Sequence, residues 1–175
     1  MKVSYHIFEL PTGPAFAAAT PAGITRLALK GDNITDFLSE LEAGFGVAPV
    51  RSEKPFKLLI KELRAYFSGE PVIFTTRLDV VGTDFQMRVW NELLKIPYGN
   101  VRSYKRLAQM VGNPQGARAV GGALNRNRVP VLIPCHRVIE SSGGLGGYAY
   151  GLDIKKMLLE LEGIMAAGVR IRGAA

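Results

Sequence analysis

The stretch SYKRLAQMVGNPQGARAVGGALNRNRVPVLIPCHRV, residues 103–138, decides how the second half of the chain is organised. Ser103 can cap a short helix running to Val111, Gly112, Asn113 and Pro114 break it, and a second short helix follows from about Gln115 to Asn125. Two short helices around a glycine-containing break match the helix-turn-helix pattern, which is weak alone because many helical pairs look like this. Charge strengthens it. Between Glu92 and Glu140 there is no acidic residue, against Lys95, Arg102, Lys105, Arg106, Arg118, Arg126, Arg128 and Arg137. A solvated face mixes both signs, so this single-sign run reads as a footprint for a polyanion, nucleic acid first. An ordinary basic protein is the alternative.

Composition bounds the rest. The chain has 175 residues, 47% hydrophobic and 21% charged, enough apolar material for one domain or two small ones. Those values exclude intrinsic disorder, collagen and coiled coil. No apolar run approaches the ~20 residues that span a bilayer. The start, MKVSYHIFELPTG, lacks the continuous apolar stretch of a signal peptide, so none is expected. Residues 1–80 carry nine basic and nine acidic groups, so the whole excess of 22 Lys/Arg over 15 Asp/Glu falls in residues 81–175. A single cysteine, Cys135, excludes an internal disulfide, and with only His6 and His136 to join it, a Cys-rich zinc site. A lone thiol fits a reducing cytosol.

Two domains are expected, residues 1–81 and 82–175. The first reads as a small α/β unit with no recognisable chemistry. Val3, Tyr5 and Ile7 alternate with polar residues, turns fall at 11–14 and 21–23, and strands follow at 15–19 and 24–30. Helical spacing marks 34–45 and about 55–67, and 71–78 reads as an extended crossing. In the second, Thr83 can cap a helix with Phe85, Val89, Leu93 and Leu94 in one stripe, stopped by Pro97. Trp90 is expected in the core or at a domain seam. A last helix is predicted over 154–162, capped by Asp153 and ended by Gly163. Glu162 at its C-terminal end opposes the helix dipole and wants a partner, a histidine being one candidate.

The only cysteine lies between Pro130 and Pro134 on one side and His136 and Arg137 on the other. Prolines fix the backbone, which suits a side chain that must be presented. An apolar setting raises a thiol's pKa, whereas imidazole and guanidinium lower it, and a thiolate held by a base is the activated nucleophile of cysteine chemistry. Adjacent side chains diverge, so His136 reaches the sulfur only through a water or an irregular backbone. These residues alone leave an inert, buried cysteine equally open. The following run, Ser141 to Gly151, holds Tyr148 and Tyr150 among glycines. It reads as a loop whose backbone approaches something closely, or as a flexible surface loop. It is not a phosphate-cradling loop, for no Gly-Lys-Ser/Thr follows.

Pro134–Cys135–His136–Arg137–Val138 resembles the active-site motif of the O6-alkylguanine-DNA alkyltransferases, the methylated-DNA–protein-cysteine methyltransferases. The similarity extends in order through Gly82–Thr83–Asp84–Phe85–Gln86, Val89–Trp90, Ile96–Pro97–Tyr98–Gly99, Ser103–Tyr104, Ala117–Arg118–Ala119–Val120–Gly121 and Leu159–Glu160–Leu161–Glu162–Gly163. Before Gly82 it is fainter, held by residues 12–14, 17–20 and 63–70.

The resemblance implies an α+β chain: a ribonuclease H-like N-terminal α/β domain, then a mostly helical domain with a winged helix-turn-helix-like unit bound in the minor groove. It implies repair of double-stranded DNA containing O6-alkylguanine, and O4-alkylthymine, by irreversible, single-turnover transfer of the alkyl group to Cys135. His136 would deprotonate the thiol through a water, oriented by Glu162, with Asn127 bracing the turn before the cysteine. Tyr104 would turn the target phosphate and protonate the flipped base, and Arg118 would fill the vacated stack. Ser103, Lys105, Arg126 and Arg128 would contact DNA. Val138, Gly146, Gly147, Tyr148 and Ala149 would wall the base pocket. No metal or cofactor is implied, and no membrane. A cytoplasmic monomer is expected (nuclear if the source is eukaryotic), with cooperative assembly on DNA left open. Ala149 departs from the serine many relatives carry, and Arg128 from their proline; the tolerated alkyl size is where this would tell. Two other readings compete. An alkyltransferase-like lesion binder lacks the cysteine, so Cys135 argues against it; a Cys–His hydrolase has no use for the charge asymmetry.

Overall fold

The computed structural model describes residues 1–31 and 33–164. The chain divides into two compact units, Met1–Val80 and Val81–Ala175.

In the first unit, β1 (Ser4–Leu10), β2 (Gly13–Thr20) and β3 (Gly23–Ala28) form an antiparallel meander. The two-residue β4 (Val50–Arg51) joins the other side of β1 in parallel, giving the order β3-β2-β1-β4. Strand β2 is central, and its alanines are buried on both faces. Phe16 and Ala18 pack with Phe37 and Leu41 of α1 (Ile34–Phe45), the two phenylalanine rings meeting edge-on at 5.5 Å. On the opposite face His6, paired with Ala17, stacks on Phe56 at 6.1 Å in the 3-10 turn Lys54–Phe56 that leads into α2 (Lys57–Phe67). Helix α1 begins where Asn33 Oδ1 accepts from the Thr35 N–H at 2.9 Å. It ends at Gly46, whose φ of 69° is cheap only for glycine.

The segment expected as an extended crossing forms no strand of its own; one bridge links Leu78 to Ile24, and a buried carboxylate holds the rest. Glu62 on α2 accepts from the backbone N–H groups of Thr75 and Thr76, at 2.8 and 3.2 Å, and from both hydroxyls at 2.6 Å. Burial pushes this carboxyl up, but the four bonds outweigh it and hold its pKa below the ordinary value.

In the second unit, Thr83 and Gln86 form a capping box on α3 (Asp84–Leu94). Trp90 is buried, and its Nε1–H donates to Ala123 O at 2.9 Å. Ala123 lies on α5 (Ala117–Asn125), which follows α4 (Tyr104–Met110) across the glycine break. Helix α5 starts two residues later than the sequence suggests, because Gly116 N–H closes a turn onto Asn113 O at 2.8 Å. Two-residue strands β5 (Arg102–Ser103) and β6 (Val138–Ile139) pair in parallel; such pieces are too short to leave a periodic signal. Asp153 is not the cap of the last helix, α6 (Leu152–Leu161). The chain enters from Gly151 at φ 93°, and Asp153 sits inside the first turn, where its charge still meets the helix N-terminus. Among the described residues no helix is long and apolar enough to cross a membrane.

Glu62→Ala strands the donors of Thr75 and Thr76, and is expected to cost about 1–3 kcal/mol, read from the urea midpoint of the full chain. Because the folded pKa is lowered, the stabilisation is present above the ordinary carboxylate range and fades as pH falls through the folded value; the Ala variant should lose this part of the acid dependence.

Candidate active site

The short β5–β6 ladder sets the site. Arg102 pairs with Val138 and Ser103 with Ile139 in parallel, so the ladder carries Tyr104 on toward Glu140, and both line one cavity with Cys135, which lies on the turn leading into β6. Upstream, the turn is braced by Asn127. Its Oδ1 accepts from Val129 N–H at 2.9 Å, while its Nδ2 donates to Ile133 O at 2.9 Å and to Cys135 Sγ at 3.2 Å. Between them Val131 sits at φ 72°, the one described non-glycine residue in the left-handed region. For a β-branched side chain that is strained.

Cys135, His136 and Arg137 form a single buried 3-10 turn. His136 Nε2 meets Glu162 Oε1 at 2.6 Å. Arg137 grips the same carboxylate through Nε, at 2.9 and 3.2 Å, and through Nη2 at 3.0 Å, with Nη1 donating to Ile96 O at 2.6 Å. Gly99 N–H adds a further bond at 3.1 Å. Burial would push the Glu162 carboxyl up, but the hydrogen bonds of His136 and Arg137, with the guanidinium charge, outweigh it and hold its pKa at about 2. Burial holds the His136 pKa down despite Glu162, so the imidazole rests neutral with Nε2–H given to the carboxylate. The thiol is pushed up by burial, against the pull of Asn127 and of the charge on Lys155; it rests protonated.

Lys155 escapes a reading by motif. Its side chain is fully buried, and Nζ donates to Val138 O at 2.6 Å, Leu145 O at 2.5 Å and Gly147 O at 3.1 Å. It lies 5.7 Å from the Tyr104 ring centroid. Desolvation lowers its pKa to about 8, with Cys135 and Glu140 pulling the other way. Three carbonyls exhaust its donors, so one cation tacks the glycine loop to the strand that follows the cysteine. The available signal was its place on the apolar stripe of α6 with Leu158 and Leu159.

The thiol lies at a cavity of about 380 Å³ whose lining includes Tyr104, Arg118, Gly146, Gly147, Tyr148 and Ala149. Gly146, at φ 68°, allows this closeness, since a Cβ there would sit 2.6 Å from the Tyr104 ring. Tyr104 donates to Gly147 O at 3.4 Å, and burial beside the thiol raises its pKa, so it keeps its proton. Glu140, absent from the expected set, also lines the cavity. Val138, expected there, is buried and outside the lining. Lys105, Arg118, Arg126 and Arg128 are exposed, whereas Arg137, counted in the basic footprint, is consumed by Glu162. Ser103 is buried, its Oγ accepting from Arg106 N–H as the cap of α4. Among the described residues no group of three or more His, Cys, Asp or Glu could hold a metal.

Residues 84–164 match the 6-O-methylguanine DNA methyltransferase DNA binding domain, and residues 3–80 that family's ribonuclease-like domain. The chain belongs to this methyltransferase family. It is 45% identical over 159 residues to the methylated-DNA–protein-cysteine methyltransferase of Methanosarcina acetivorans, covering 91% of this chain and 97% of the relative. The crystal structure of Mycobacterium tuberculosis OGT in complex with DNA superimposes with a TM-score of 0.78 at 38% identity, covering 91% of this chain and 93% of that one. The O6-methylguanine-DNA methyltransferase of Pyrococcus kodakaraensis gives 0.62 at 29% identity, with 93% and 99% covered. The mixed α+β layout agrees with these relatives.

In a methyltransferase built this way Glu162 carries structural weight beyond its histidine. Glu162→Ala leaves Arg137 buried without its counter-charge and is expected to cost about 3–5 kcal/mol in chemical denaturation. The sign with pH follows from its pKa of about 2: the stabilisation is complete above the unfolded carboxyl range and is lost as pH falls toward about 2. The Ala variant should be flatter there.

Proposed function

We propose that this chain repairs DNA by moving the alkyl group of an O6-alkylated guanine onto the sulfur of Cys135, once per molecule. The observation that carries it is a lone buried thiol beside a cavity faced by a tyrosine and an arginine, with a charged relay behind the adjacent histidine.

Glu162 holds Nε2–H of His136, and Nδ1 is the nitrogen that takes the thiol proton through a water. Only the neutral imidazole can do so, and burial keeps it neutral. The sulfur then attacks the alkyl carbon in line: the S–C bond forms, the C–O6 bond breaks, and its electron pair leaves with the guanine. Tyr104 delivers a proton to the departing base, and the proton held by His136 restores the balance. A thioether gives no route back to thiol.

Reaching such an atom requires extruding the base, at a cost of a few kcal/mol. Arg118, exposed at the cavity on α5, is the side chain we assign to the vacated stack. Lys105, Arg126 and Arg128 supply phosphate contacts that carry affinity without sequence preference. We assign binding and transfer to residues 82–175, with α4 and α5 as a helix-turn-helix of the winged type in the minor groove, and structural support to residues 1–81. A thiol used as a reagent suits a reducing compartment such as the cytoplasm.

Intact-mass measurement after incubation with a duplex containing O6-methylguanine should find one methyl added, mapped to Cys135. Cys135→Ala should show no adduct while retaining duplex affinity within about twofold; an adduct in that variant refutes the assignment. Arg118→Ala should slow transfer from duplex by about tenfold or more and leave reaction with the free base near wild type. Equal slowing of both removes the intercalating role.

A further inference from the structure

The N-terminal unit carries a groove of about 570 Å³ along one side of β1, walled by Lys57, Ile60, Lys61 and Arg64 of α2. Strand β1 is only partly covered there. Strand β4 pairs with Ser4 and Tyr5 alone, through Val50 N–H to Val3 O and Ser52 N–H to Tyr5 O, each at 2.9 Å, before the chain turns away into α2. Main-chain groups alternate in direction along a strand, so the N–H and C=O of Ile7 and Glu9 point to the same side as those of Val3 and Tyr5. Among the described residues nothing pairs with them there. An open edge of this kind is a template for another strand.

Charge selects what could lie on it. Lys57, Lys61 and Arg64 are exposed along one face of α2, while Glu62 between them is turned inward to Thr75 and Thr76. The stripe therefore has no acid of its own. His6 Nδ1, buried at the same groove, has no hydrogen-bond partner among the described residues.

We infer that this edge binds an extended acidic peptide of a partner protein as a fifth strand, its backbone pairing with Ile7 and Glu9 and its carboxylates meeting Lys57, Lys61 and Arg64. Two outward residues suit a strand of about five residues at roughly 3.3 Å each. Glu9 and Glu53 on the lining oppose any anion, so what favours a peptide over nucleic acid is the open ladder, for which a phosphate backbone has no use. A second copy of β1 would bring two cationic stripes together.

The test uses the full chain and a fluorescein-labelled hexapeptide alternating valine and glutamate, with a valine–lysine counterpart. Anisotropy should show saturable binding of the acidic peptide only, and amide exchange should slow at Ile7 and Glu9. The double variant K61E/R64E should weaken binding about tenfold or more. Glu9→Pro deletes one outward N–H without removing a bond to β2. It should weaken binding too, although it also removes an opposing charge. Methyl transfer to Cys135 should be unchanged in both variants. No binding of the acidic peptide, equal binding of the lysine peptide, displacement by duplex DNA, or protection of the same amides through self-association would each overturn the proposal.

Discussion

One buried carboxylate organises the second unit. Glu162 is removed from water at a helix C-terminus, where the dipole disfavours it, and its ionised form survives because His136, Arg137 and Gly99 converge on it. Two of them, His136 and Arg137, come from the turn that holds the sulfur, and Gly99 comes from the turn before β5. A single charge thus ties the end of α6 to both strands of the β5–β6 ladder and sets the tautomer of the imidazole. Under the proposed function, stability and chemistry depend on the same bond, so neither can be altered separately at this residue.

The reading by motif and charge met the structure where signals were local. The two short helices, the Thr83 cap, the break at 112–114 and the dipole argument for Glu162 each rest on a few adjacent residues, and each is there. What the one-dimensional pattern hid is long-range. Strands β4, β5 and β6 have two residues each, below any period, and exist because a distant partner supplies the bonds. Glu62 and Lys155 look like surface charges until the fold brings threonine hydroxyls to one and three carbonyls to the other. Asp153 has the chemistry of a cap, but the backbone turn at Gly151 came first.

Counting cations also overstated the footprint. Arg137 belongs to the interior, and Lys155, buried by the thiol, is a fastener for the loop that walls the cavity. The basic residues divide into those spent on architecture and those left for a partner, and only burial tells them apart. The resemblance, by contrast, carried the family correctly, because it rests on several short motifs in one order along the chain.

Val131 bears on how such a turn is kept. In the left-handed region a β-branched residue gives up roughly 1–2 kcal/mol that glycine would not. The chain nonetheless places a bulky, buried valine there, four residues before the sulfur. Glycine would relax the backbone but leave a hole in the floor of the turn and a hinge in place of a wedge. The molecule therefore runs its reactive segment under tension, as a bowed spring does, and rigidity comes from load rather than from repose.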